Sequence, residues 1–212
     1  MKRLNYSLLG LSLIFFSQFA VAKPIQGISF SHEDWEIYCS NTGTCQAAGY
    51  QDDYSSDKPA SILITREAGS KQAPEIEYAL STSEDLPKKQ LENIHLYVNG
   101  KDLGAVHSQD LDVPILGTLT RSQADALFKQ ASQKVSIEFK NSQQKWMISD
   151  KGMTAVLLKM DDFQQRVGTT QALIKKGQKD ESTVLKAQAK FIVKKVKTAN
   201  QPYLTLTPKS KQ

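Results

Sequence analysis

The sequence predicts an α+β fold: an antiparallel β-sheet built from hairpins, with two main helices packed on one face. Three observations carry this. Short runs alternate apolar and polar residues with period two over the first hundred residues. Asn99-Gly100, a strong two-residue hairpin signal, stands between two such runs. After Thr120 the apolar spacing changes to the helical period.

The elements follow in order. Trp35, Ile37 and Cys39 alternate with Glu36 and Tyr38, and Cys45-Gln46-Ala47-Ala48 returns after the turn material of residues 40–44. This reads as a hairpin with Cys39 and Cys45 facing each other, a spacing suited to a disulfide after small adjustment. Ile62-Leu63-Ile64, then Ile76, Tyr78 and Leu80, then Ile94, Leu96 and Val98 mark further strands; the last returns through Lys101 to Val106. Thr120 and Gln123 fit a capping box ahead of the stripe Ala124, Leu127, Phe128 and Ala131. A second hairpin places Val135, Ile137 and Phe139 opposite Trp146 and Ile148. A longer helix runs from about Gly152 to Arg166 on Met153, Val156, Leu157, Met160 and Phe163, with Gly168 as its stop. A short helix is expected over 170–176. Residues 185–196 fit a strand or a helix face and lean to strand, because Ile, Val and Phe dominate. Pro202 and Pro208 predict an irregular end.

Residues 1–22 are excluded from the fold. Lys2 and Arg3, the apolar run Leu8 to Phe16, and Ala20-Val21-Ala22 form a signal peptide with cleavage after Ala22. The run is too short to span a bilayer, and no later segment is long and apolar enough, so the expected location is the periplasm, with no transmembrane segment in the mature chain. The remaining 190 residues divide into one α+β domain, 23–177, and a basic segment, 178–212. The chain has net charge +5, but residues 178–212 alone carry eight Lys against Asp180 and Glu181, and the body is mildly acidic. A nucleic-acid reader needs a basic face on its folded body, so that class is set aside. The Lys-rich tail would touch an anionic membrane surface or wall polymer through charge, or be a solvated strand face.

Cys39 and Cys45 are expected to be a structural disulfide, since redox pairs favour the Cys-x-x-Cys spacing. Two Cys and three scattered His provide no metal-ligand cluster. Asp34 and Glu36, on one strand face opposite Trp35, would suit general acid/base work or a cation, or else line a solvated edge opposite a core Trp. Asp161, Asp162 and Arg166 share a helix; Arg166 either pairs with Asp162 at the surface or grips a carboxylate or phosphate. His95 and His107 are isolated in sequence. No nucleophile elbow or phosphate loop occurs, so no catalytic residue is nominated and no cofactor is implied.

The stretch Ser31 to Tyr50 contains Asp34-Trp35, Cys39, Asn41-Thr42, Thr44-Cys45, Ala47 and Gly49-Tyr50. It resembles the opening of a family of exported bacterial proteins, domain of unknown function 1176. Met160 to Thr169, Ser149 to Gly152, and Ala172-Leu173 with Gly177 resemble the same family, so the likeness covers roughly 28–177. The element layout is also similar to invasion-associated locus B proteins, by pattern alone. The resemblance implies export and a folded body and supplies no reaction. With no catalytic set, the expectation is a non-enzymatic protein binding a partner protein or envelope component. An inhibitor-like protein blocking an attacking enzyme, or a hydrolase using Asp34 and Glu36 with Arg166, are the alternatives.

Overall fold

A computed structural model describes residues 25–51, 57–83, 86–108, 112, 114–187, 191–197 and 202–208. The expected signal peptide lies outside the described residues.

The alternation becomes two antiparallel sheets. The first has seven strands: β1 (Ile28–His32), β2 (Trp35–Cys39), β3 (Cys45–Tyr50), β4 (Ala60–Arg66) and β5 (Glu75–Leu80) in sequential order, then β9 (Ile115–Thr118) and the two-residue β8 (His107–Ser108). The second has four, in the order β11 (Lys145–Ile148), β10 (Ile137–Lys140), β6 (His95–Val98), β7 (Lys101–Ala105). A separate hairpin pairs β12 (Phe191–Lys197) with β13 (Pro202–Pro208).

One face of the seven-stranded sheet is the core face. Ile37, Ala47, Ile64 and Ile76 stand side by side across β2 to β5, and all are buried. Helix α1 (Arg121–Gln130), helix α2 (Met153–Phe163) and the inner face of the four-stranded sheet share that core. Phe139 of β10 lies 5.0 Å from the Tyr78 ring, and the Trp146 indole donates to the Ser81 carbonyl at 2.6 Å. The α+β class and the helix placement therefore hold; the strands divide into two facing sheets.

Local signals predict local geometry well. Asn99 and Gly100 both take positive φ, +51° and +76°, joining β6 to β7 at the Val98–Lys101 pair. Both halves of the Thr120–Gln123 capping box form.

Three expectations are corrected. Helix α2 stops at Phe163, not Arg166. Gln165 at φ +59° is its left-handed terminus, closed by Gln165 N–H to Asp162 O and Arg166 N–H to Asp161 O, the Schellman pair of bonds, so Gly168 is not the stop. Residues 170–176 form no helix, because the Asp161 carboxylate captures the N–H groups of Leu173 and Ile174. The end near Pro202 and Pro208 is a strand with those prolines at its first and last positions, where proline disturbs a ladder least. Strands β1, β8 and β9 have no counterpart among the expected elements.

Candidate functional site

The six residues singled out from sequence fall into separate places. Asp34 is in the turn before β2, so it shares no strand face with Glu36. Its carboxylate accepts from Ser149 Oγ at 2.6 Å, while Glu36 points outward and accepts from the Tyr50 hydroxyl. Trp35 is buried, donates to the Ser149 carbonyl at 2.7 Å, and lays its ring over Gly49, where any Cβ would come within 2.4 Å of it. Asp162 is exposed and faces Lys159 at 3.4 Å. Arg166 meets neither Asp162 nor Asp34. It is fully buried and donates to the carbonyls of Gly69 and Gln72 and to Gln171 Oε1, fastening the loop after β4. Burial lowers its pKa, against the pull of Glu181 and Asp161.

Asp161 sits at the centre of a buried network that sequence reasoning missed. Its Oδ1 accepts from Arg66 Nη2 at 2.8 Å, with both side chains at most 1% exposed. Arg66 Nε donates to Gln164 Oε1 at 2.6 Å, and the Gln164 amide donates to the carbonyls of Gly43 and Arg66. Burial pulls the Arg66 pKa down to about 10, opposed by Asp161 and assisted by the like charge of Arg166. The signal was present: Arg66 is in phase with the inward residues Ile62 and Ile64, and Asp161 and Gln164 lie one helical repeat beyond Leu157 and Met160. This network joins β4, the β2–β3 loop, α2 and the loop at 173–174.

The two outward sheet faces differ in chemistry. On the four-stranded sheet, Glu138 and Asp102 gather the charges around them. Glu138 receives Lys140 at 3.0 Å and Lys145 at 3.1 Å; burial alone would raise its pKa, and the two ammonium groups hold it lower. Asp102 receives the Gly104 N–H, His95 Nδ1 and the Tyr97 hydroxyl, which together hold it below the usual carboxylate range. So His95, isolated in sequence, is brought to a carboxylate by the β6–β7 hairpin. Lys140 lies 4.0 Å from the centre of the Tyr97 ring.

The outward face of the seven-stranded sheet carries Glu36, Glu75 and Glu77 and, across β1 to β5 and β9, no lysine or arginine. Between the glutamates run Tyr38, Ala48, Tyr50, Leu63, Ala79 and Leu116. Tyr38 is 58% and Leu116 47% exposed, against 40% for Met147 on the four-stranded sheet. Small residues at Ser61 and Ala79 open a trough between them. One hollow of about 310 Å³ is bounded by Leu63, Glu77 and Leu116, and an adjoining one of about 200 Å³ by Tyr50 and Pro59. The register creates this surface, since its residues come from five strands, β2 to β5 and β9.

A family model described as "Protein of unknown function (DUF1176)" matches residues 29–212. The motif likeness read from sequence ended near 177; the match continues through the basic segment, which is therefore part of the matched unit. No curated protein and no solved structure matches the chain.

Proposed function

The chain belongs to that family of proteins of unknown function, and from this premise we propose that it is an exported, non-enzymatic binding protein whose seven-stranded sheet presents its outer face to a cationic protein partner. The observation that carries the reading is the composition of that face: three glutamates, exposed Tyr38 and Leu116, a trough of small residues, and no lysine or arginine. An exposed tyrosine and the absence of lysine are features that recognition surfaces share, and clustered carboxylates steer a basic partner onto the face. Export is supported by the Cys39–Cys45 bond, which persists in an oxidising compartment, and by the signal-like residues 1–22. No helix among the described residues is long and apolar enough to cross a membrane.

The inhibitor-like reading is a special case, in which the cationic partner is an attacking enzyme. The hydrolase reading draws no support from the geometry, because Arg166 spends its guanidinium on carbonyls and Asp34 and Glu36 have separate partners.

The test is site-specific photo-cross-linking in intact cells from Tyr38 or Leu116, with Lys145 on the other sheet as control. Tyr38 and Leu116 are expected to capture proteins of positive net charge that Lys145 does not, and Glu75→Lys/Glu77→Lys is expected to abolish the capture while leaving the thermal melt unchanged. Equal capture from Lys145, or capture indifferent to the charge reversal, overturns the proposal.

A further inference from the structure

Among the described strands, every exposed edge but one is guarded. Strand β8 is two residues long. Strand β7 carries Lys101 and Asp102 and pairs with β6 through an irregular register; β11 begins with Lys145. Strand β12 carries three lysines and β13 has prolines at both ends. Short length, charge, irregularity and proline are the devices by which proteins keep sheet edges from pairing with other chains. Strand β1, Ile-Ser-Phe-Ser-His over residues 28–32, has none of them. It has five residues, no charged group, no proline and unbroken register with β2, and no described strand pairs with its other side.

The ground beside this edge is also open. Phe30 points to the inner side and is half-buried. It shares a hollow of about 340 Å³ with the apolar Ala155, Leu158 and Val167 and the charged Lys159, Asp162 and Lys175. An aromatic ring entering it would meet the apolar side chains of Phe30, Ala155, Leu158 and Val167.

The edge sequence is complementary to itself. Antiparallel pairing of two β1 strands about Phe30 sets Phe30 opposite Phe30, Ser29 opposite Ser31 of the second copy, and Ile28 opposite His32 of the second copy. No like charges meet and every position remains on its own face. The two-fold axis then runs perpendicular to the sheet, the isologous arrangement. It merges two seven-stranded sheets into one and brings both Phe30 rings together on the inner side, between the two α2 helices.

We infer that β1 is a homodimerisation edge, and that the occupant of the Phe30 hollow is the Phe30 side chain of a second copy. The guarded state of the other edges and the symmetry of Ser29-Phe30-Ser31 are the two observations that carry it. This contact uses the strand edge and inner flank, so it leaves the lysine-free outer face of each copy open and is independent of any partner bound there.

The test uses the mature chain with its disulfide intact. Size-exclusion chromatography with light scattering at micromolar protein is expected to show a dimer. Ser29→Lys/Ser31→Lys sets lysines against lysines across the axis and is expected to give a monomer with an unchanged thermal melt, since both serines are exposed. Mixing it with Ser29→Glu/Ser31→Glu is expected to restore a mixed dimer. Phe30→Cys is expected to cross-link to itself under oxidation, because directly opposed Cβ atoms lie about 4.5–5.5 Å apart, whereas Ser29→Cys is not. A monomeric native chain overturns the inference. So does a dimer that survives the lysine pair, or Ser29→Cys cross-linking in preference to Phe30→Cys.

Discussion

Asp161→Ala tests the claim that the buried Arg66–Asp161 pair holds the end of α2. The carboxylate accepts three donors: Arg66 Nη2 at 2.8 Å, Leu173 N–H at 2.7 Å and Ile174 N–H at 3.0 Å. Removing it strands a guanidinium that is 1% exposed and already depressed in pKa by burial. Breaking one side of a buried pair costs about 3–5 kcal/mol. Each buried N–H left without an acceptor adds about 1–3 kcal/mol, part of which water entering the void would recover. The expected loss is about 4–6 kcal/mol, which for a chain of this size lowers Tm by roughly 10–20 °C. Urea unfolding with the disulfide intact measures it as a shift in midpoint at constant slope. Arg66→Met alone should be costly as well, because it strands the carboxylate. The double variant Arg66→Met/Asp161→Ala should lose less than the sum of the singles, by about 1–3 kcal/mol, because neither charge is left alone. A loss below about 1 kcal/mol for Asp161→Ala, or strict additivity, would refute the assignment.

Two further outcomes follow from buried chemistry. The Tyr78 hydroxyl is buried with no hydrogen-bond partner among the described residues, and burial raises its pKa to about 12. A phenol that keeps its proton longer in the folded chain stabilises the fold below pH 10, and that contribution is lost as pH rises from 10 towards 12. Wild-type stability should therefore fall by about 2–3 kcal/mol across this window from Tyr78. Tyr78→Phe should be neutral or slightly stabilising at pH 7 and should flatten the alkaline fall; superimposable pH curves in urea titrations would count against it. Opening the Cys39–Cys45 bond, which closes a loop of sequence separation 6, should cost about 2–3 kcal/mol. The unreduced chain should show no alkylation at either cysteine, and labelling at both would remove the staple.

The legible parts of the fold are those whose determinants are adjacent in sequence. Asn99-Gly100 needs only its own backbone to turn a hairpin, and Thr120 with Gln123 caps α1 without help from elsewhere. The parts that escaped depend on remote partners. Strand β1 does alternate, Ile28 and Phe30 with Ser29 and Ser31, but over only four residues, and its inward side chains are half-buried. Strand β9 has no side chain at its inward Gly117, since the Tyr78 ring crosses it: a Cβ there would stand 2.4 Å from the Tyr78 hydroxyl. The pattern at 170–176 is helical in isolation, but a carboxylate 12 and 13 residues upstream takes the N–H groups of Leu173 and Ile174. Of the site residues, Asp161 and Arg166 were visible as chemistry on α2, yet their partners at 66 and 69–72 lie about a hundred residues away and no spacing rule connects them. The outer face was invisible for a related reason: Glu36, Glu77 and Leu116 become neighbours through strand order alone.

The stretches that carry the family resemblance meet one another in space. The Trp35 indole and the Asp34 carboxylate both end on Ser149, the residue that opens the 149–152 stretch. Gly152, at φ +91°, brings its backbone against the His32 carbonyl so closely that any Cβ would overlap it. Gln164, in the 160–169 stretch, donates to Gly43 in the cysteine hairpin, and its own carbonyl receives the Leu185 N–H, while Leu185 packs beside Gly43. These contacts fasten the cysteine hairpin to the end of α2. A sequence signature of this kind specifies a platform. The lysine-free face lies on the other side of that platform: its β2 and β3 positions, Glu36, Tyr38, Ala48 and Tyr50, come from the motif stretch itself, and its β4, β5 and β9 positions come from outside it.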